Sequence, residues 1–203
     1  MAFIAGLEKR GIDVSQLDTL EAYGGTGLFH TVRYASHVRN LTVWEISEKR
    51  EEELKRNLPA AKIKITDSYE EVKATEDTFD LVVVDNPMST KGFPGQEGRC
   101  EHFDLFPDVF RLGRNDFILV INVIPRHGNR RRYPYIFNPE HLRRRSEFYH
   151  TDHPENVSIK DMVEIYVDMA RLFDYKLEWW FRKKRSFVYY LVLKLVRECL
   201  TEC

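Results

Sequence analysis

The chain has 203 residues, with 31 Lys plus Arg against 32 Asp plus Glu, so its formal net charge of −1 supplies no global pull toward nucleic acid or membrane and any basic binding surface must be local. Its three cysteines, Cys100, Cys199 and Cys203, lack a paired metal-ligand spacing, and so sparse and odd a count suits the reducing cytoplasm. No apolar run reaches the roughly eighteen residues of a membrane span, and the start lacks a basic region followed by a long apolar core, which argues against secretion.

In chain order, residues 2–10 read as a short helix that Gly11 stops, followed by a strand near 18–23. A glycine-rich turn, Tyr23-Gly24-Gly25-Thr26-Gly27, ends that strand, and a helix is expected over 28–38. Strand 41–46 leads to Ser47, a candidate N-cap, and to a helix with Glu51/Lys55 and Glu52/Arg56 at i,i+4 spacing before Asn57-Leu58-Pro59 closes it. Strand 62–66, a short helix near 69–74 and the valine-rich strand 79–84 follow, the last suited to burial on both faces of a parallel sheet. Residues 88–101 read as a loop, 102–112 as a helix limited by Pro107, and 117–121 as a fifth buried strand. A polar, basic insert spans about 125–156. Ser158 and Asp161 then form a capping box ahead of an apolar face of Met162, Ile165, Tyr166, Met169, Leu172 and Phe173. Strands 176–183 and 186–196 close the chain as a hairpin.

Five strand–helix alternations imply an α/β fold: a doubly wound, Rossmann-like, mostly parallel sheet of seven strands with a C-terminal antiparallel hairpin, in a single domain over 1–203. Successive strands deliver the glycine turn, Glu45, Asp67 and Asp85 at their C-terminal ends, where open α/β sheets bind ligands. Any one of these acids alone would pass for a solvated strand end or a helix cap. Together and in order they point to a nucleoside-bearing cofactor.

This pattern resembles the class I S-adenosylmethionine-dependent methyltransferase family along almost the whole chain. The residues that carry the resemblance are Glu21-Ala22-Tyr23-Gly24-Gly25-Thr26-Gly27, Glu45, Asp67-Ser68 and Asp85-Asn86-Pro87-Met88. It implies S-adenosyl-L-methionine as cofactor. Glu21 would meet the ammonium group, Gly25 and Gly27 would let the backbone approach the sugar and methionine part, with Tyr23 and Gly24 as further cofactor-binding candidates in the turn, and Glu45 would accept the ribose hydroxyls. Asp67 or Ser68 would accept the adenine amino group, and Asp85, at the end of strand four, is a further cofactor-binding candidate. A dehydrogenase would use the same turn and ribose carboxylate, but its third small residue falls here on His30.

Tyr23 at the head of the turn is similar to the aromatic found there in nucleic-acid methyltransferases. Those enzymes often hold a target amino group with an Asp/Asn-Pro-Pro-aromatic segment after strand four. Here Asp85 and Pro87 match, while Asn86 and Met88 depart from it, so Asp85, Asn86 and Pro87 are candidate catalytic residues. An oxygen acceptor would need a general base, with His102 first, Asp85 second and His127 third. Residues 126–145 hold seven arginines against the single acid Glu140, with Tyr133, Tyr135 and Phe137 between the clusters. Arg130, Arg131, Arg132, Arg143, Arg144 and Arg145 are therefore candidates to grip a nucleic acid or a small acidic acceptor. The alternatives at this point are a nucleic-acid methyltransferase, an O-methyltransferase for a small phosphorylated or glycan-linked acceptor, and a non-catalytic module that only binds the cofactor.

Overall fold

A computed structural model describes residues 3–85, 102–126, 137–185 and 188–198. Its helices are α1 (Ile4–Glu8), α2 (Glu51–Asn57), α3 (Ser68–Ala74), α4 (Pro139–Tyr149) and α5 (Ile159–Arg171). Its strands are β1 (Asp18–Glu21), β2 (Asn40–Glu45), β3 (Lys62–Ile65), β4 (Phe79–Val84), β5 (Gly113–Val123), β6 (Tyr175–Arg185) and β7 (Val188–Arg197). The strands form one seven-stranded sheet in the order β3-β2-β1-β4-β5-β7-β6. Neighbours from β3 to β5 pair in parallel, and β7 is antiparallel to both β5 and β6. Edge strand β6 therefore points the same way as β1–β5. The order reverses between β1 and β4, the switch point where the strand ends open a crevice.

Burial explains the apolar runs. Leu81 and Val83 of β4 join one core with Leu41, Val43, Ile118 and Val120, under α1 and α2. Val82 and Val84 join the other with Leu20, Trp44, Leu119 and Ile121, under α3, α4 and α5. Alternate residues of one strand thus feed two cores, which is why β4 carries no polar alternation. The capping box of α5 forms as expected, with Ser158 N donating to Asp161 Oδ2 at 2.8 Å and Asp161 N to Ser158 Oγ at 3.3 Å. Its buried face comprises Ile159, Met162, Val163, Tyr166, Val167 and Ala170.

Three expectations need correction. Residues 28–38 hold no α-helix, only a 3-10 turn at Thr31–Arg33. Leu28, Phe29 and Val32 are 50%, 73% and 41% exposed, while Thr31 and Tyr34 are buried and Ala35 and Val38 pack partly buried against the core. Ser47 makes no side-chain cap; the chain passes through a 3-10 turn at Glu48–Arg50 before α2. Residues 102–112 fold as two short 3-10 segments, Phe103–Leu105 and Asp108–Leu112, rather than one helix. A fourth feature, the polar insert, carries no such reversal: within it Asn138 caps α4 through Glu140 N at 2.8 Å and Pro139 starts the helix.

Candidate functional site

The turn after β1 is built by close approach. Gly24 N donates to Trp44 O at 2.8 Å, and a Cβ on Gly24 would lie 2.4 Å from Val43 Cγ1. No larger residue fits there. Gly25 has a φ of +57°, and a Cβ placed there would meet nothing nearer than Arg50 Nη1 at 4.0 Å. Its amide donates to Glu45 Oε2 at 2.8 Å, and Ser47 N donates to Glu45 Oε1 at 3.0 Å. The carboxylate at the end of β2 is thus oriented by two backbone amides, with Arg50 Nη1 at 3.4 Å. Gly27 N closes the loop onto Gly24 O at 2.9 Å, and Asn57 from α2 holds Thr26 O at 2.8 Å.

At the end of β1, Glu21 is 1% exposed. The Tyr34 hydroxyl donates to its Oε2, while Oε1 is enclosed without a hydrogen-bond partner. Burial, and then the Asp85 carboxylate nearby, push the Glu21 carboxyl well above the usual carboxylate range, against the opposing Tyr34 bond and smaller contributions from the Asp85 and Tyr23 backbone amides. Asp85, just beyond β4, accepts from the Tyr190 hydroxyl at 2.7 Å and from Arg185 Nη1 at 3.3 Å on each oxygen. His30 Nε2 stands 3.9 Å from Asp85 Oδ2. Burial pulls the His30 pKa down, Asp85 pulls it up, and Arg185 and Arg33 again lower it. Tyr190, from β7, is raised by its own burial and by Asp85. Glu21, Tyr34, Asp85, Tyr190, His30 and Arg185 form one polar cluster at the switch point.

Asp67 caps α3, its Oδ1 accepting from Tyr69 N at 2.9 Å. Ser68 is buried and its hydroxyl donates to Ala22 O, bracing the base of the glycine turn. Tyr23 packs edge-on to Tyr69 at 6.2 Å, and burial followed by the Tyr69 hydroxyl raises its phenol pKa. His102 has no exposed surface: its Nε2 lies 2.9 Å from the Tyr166 hydroxyl, and its ring packs on Phe103, Phe106 and Tyr166.

Of the arginines, Arg143 lies on exposed α4 between Glu140 and Glu147, and Arg144 pairs with Asp104 at 2.6 Å. Arg145 is fully buried, holding Pro154 O at 3.0 Å beneath α4, which makes it an interior strut. Asn86, Pro87, Met88, His127, Arg130, Arg131 and Arg132 lie outside the described residues.

Reading the sequence alone missed Tyr34, Arg185 and Tyr190, since nothing in chain order signals that positions so far apart meet Glu21 and Asp85. It also missed Ile46, which is 45% exposed immediately after Glu45 and offers an apolar face beside that carboxylate.

No protein-family model matches the sequence, and no curated protein matches it. Solved structures do match in fold. Trm1 from Pyrococcus horikoshii, in complex with S-adenosyl-L-methionine, superposes with a TM-score of 0.59 at 14% identity, over 88% of this chain and 50% of that one. Magnesium protoporphyrin IX methyltransferase (ChlM) from Synechocystis PCC 6803, with bound SAH, gives 0.56 at 14% identity, over 97% and 81%. The N-methyltransferase NodS from Bradyrhizobium japonicum WM9 gives 0.55 at 13% identity, over 97% and 96%. The chain has the fold these methyltransferases share.

Proposed function

We infer that the chain binds S-adenosyl-L-methionine and transfers its methyl group. The observation that carries this reading is the setting of Glu21: a buried carboxyl bonded to Tyr34 and set beside a second carboxylate favours a cationic ligand group. An ammonium group there would pair with Oε1 and favour the ionised form. Glu45, already aimed by the Gly25 and Ser47 amides, would accept the ribose hydroxyls, and Ile46 would cover an adjacent apolar surface. The Asp67 carboxylate and the Ser68 hydroxyl flank the β3 end, where the adenine amino group would find an acceptor.

The same features disfavour a dinucleotide. A pyrophosphate rests on a helix N-terminus that follows the glycine turn. Here residues 28–38 supply only a short 3-10 turn, and Glu21 and Asp85 would repel the anion.

The cofactor supplies an activated methyl on a sulfonium sulfur, so the protein's work is placement. Carboxylates at the ends of β1 and β4 favour positive charge before transfer, and in-line positioning of the acceptor provides much of the rate. Asp85 is already engaged by Arg185 and Tyr190, which leaves a guanidinium at the acceptor side. That cation favours an anionic acceptor such as nucleic acid. His102 would have to leave its aromatic surroundings to reach an acceptor oxygen, so its position lends no weight to the O-methyltransferase alternative.

Calorimetric titration with S-adenosylmethionine, with NAD and a Glu45→Ala variant as controls, tests the reading. Micromolar binding of the methyl donor, lost in the variant and absent for NAD, is expected. No binding of the methyl donor overturns it.

A further inference from the structure

The edge strand β6 ends in four consecutive cations, Arg182-Lys183-Lys184-Arg185, all exposed. Because β6 runs in the same direction as β1–β5, this end lies at the same edge of the sheet as Glu21, Glu45 and Asp85. Arg185 joins the run to the candidate site, its Nη1 lying 3.0 Å from the Tyr190 hydroxyl and 3.3 Å from Asp85. Among the described residues, no carboxylate lies within ion-pair distance of Arg182, Lys183 or Lys184.

Aromatic rings accompany the cations. The Arg182 guanidinium lies over the Tyr189 ring at 5.7 Å, and that of Arg185 over Tyr190 at 5.7 Å. Trp180, two positions before Arg182 on the same strand, is 37% exposed. Cations already laid on rings lose less freedom when a ligand arrives. Lysines often guard a sheet edge against pairing with other chains. That purpose requires neither an exposed tryptophan nor an arginine turned toward the strand-four acid.

We propose that this end of β6 is a docking surface for single-stranded nucleic acid, which leads the acceptor strand to the methyl site at Asp85. Phosphates would lie on Arg182, Lys183 and Lys184, and an unpaired base would stack on Trp180. A duplex hides its base faces, so the exposed ring selects the single strand. The proposal rests on the cofactor reading for the position of the methyl group.

The test is fluorescence anisotropy of labelled single-stranded RNA and DNA oligonucleotides with the full chain, across a salt series. The same preparations are titrated with S-adenosylmethionine. Neutralising R182S, K183S and K184S together is expected to weaken oligonucleotide binding at least tenfold and to lower the log–log salt slope by about 2, the release of three phosphate contacts. Trp180→Ala is expected to weaken binding without changing the slope. Unchanged affinity and slope in the neutralised variant overturns the proposal, as does a wild-type chain that binds the methyl donor but no oligonucleotide. Equal binding of heparin or anionic vesicles, with no preference for the oligonucleotide, also overturns it. A wild-type chain that binds no methyl donor refutes the cofactor reading instead, and the two failures are therefore distinct.

Discussion

The two ends of the parallel sheet carry acids under opposite conditions. At the N-terminal ends, Asp18 accepts from Arg39 at 2.8 Å, Asn40 at 2.8 Å and Arg114 at 2.7 Å, and Arg114 also reaches Asp80 at 3.2 Å. Those bonds, led by Arg39, hold the Asp18 carboxyl far below the usual range. At the C-terminal ends, Glu21 is buried, short of a partner, and pushed upward. One end is charge-balanced within the protein and serves stability. The other holds a buried carboxyl whose ionised form a cationic group would favour. Acids at strand ends are thus sorted by the partners the fold supplies, not by residue type.

Experiments that break this contrast differ in size. The largest expected effect is at Glu45: Glu45→Ala removes the ribose acceptor and frees the Gly25 amide, and calorimetry should show S-adenosylmethionine affinity falling about a hundredfold, or roughly 2.7 kcal/mol. At the opposite end, Asp18→Asn leaves Arg39 and Arg114 under-compensated and should lower unfolding stability by about 2 kcal/mol in urea, with cofactor affinity unchanged. An equal loss of affinity would mean the two ends are not independent. Because the folded Asp18 pKa is depressed, its stabilisation is present above the unfolded value of about 3.9 and is lost as pH falls below it. An acid unfolding series should show that loss in the wild type and not in Asp18→Asn.

Glu21 has the reverse sign. Its folded pKa is raised, so its proton-linked stabilisation is present below the unfolded value of about 4.3 and is lost as pH rises through the folded pKa. Glu21→Gln should therefore raise the melting temperature of the ligand-free protein at neutral pH by about 2–4 °C while weakening cofactor binding about tenfold. Wild-type affinity should rise with pH as Glu21 ionises, and the variant should lose that dependence. The smallest effect belongs to Ser68→Ala, which removes the bond to Ala22 O and should cost about 1 kcal/mol of stability, read from the urea midpoint. A neutral result at Ser68 together with lost affinity would make it a ligand contact rather than a brace.

Much of this molecule is written locally. The apolar runs of β2, β4 and β5, the glycine turn, the capping box of α5 and the acids Glu45 and Asp85 after their strands are short-range signals, because strand period, turn geometry and caps act over a few residues. They are sufficient to give the seven-stranded architecture and to place acids at the ligand edge. The failure at 28–38 is equally instructive: fold expectation calls for a helix there, but the chain forms only a 3-10 turn, with Tyr34 committed to a tertiary bond with Glu21. Likewise, the sequence does not show that Asp67 also caps α3, or that Arg145, a candidate phosphate grip, is a buried strut.

By itself, then, the sequence determined the strand order's raw material and the identity of the acids, through patterns that act within one element. Only the tertiary structure decided their charge state and company: that Tyr190 and Arg185, about a hundred residues downstream, close on Asp85, and that Glu21 is enclosed with one oxygen unmatched. Desolvation and pairing depend on which distant elements pack together, and no local pattern encodes that distance.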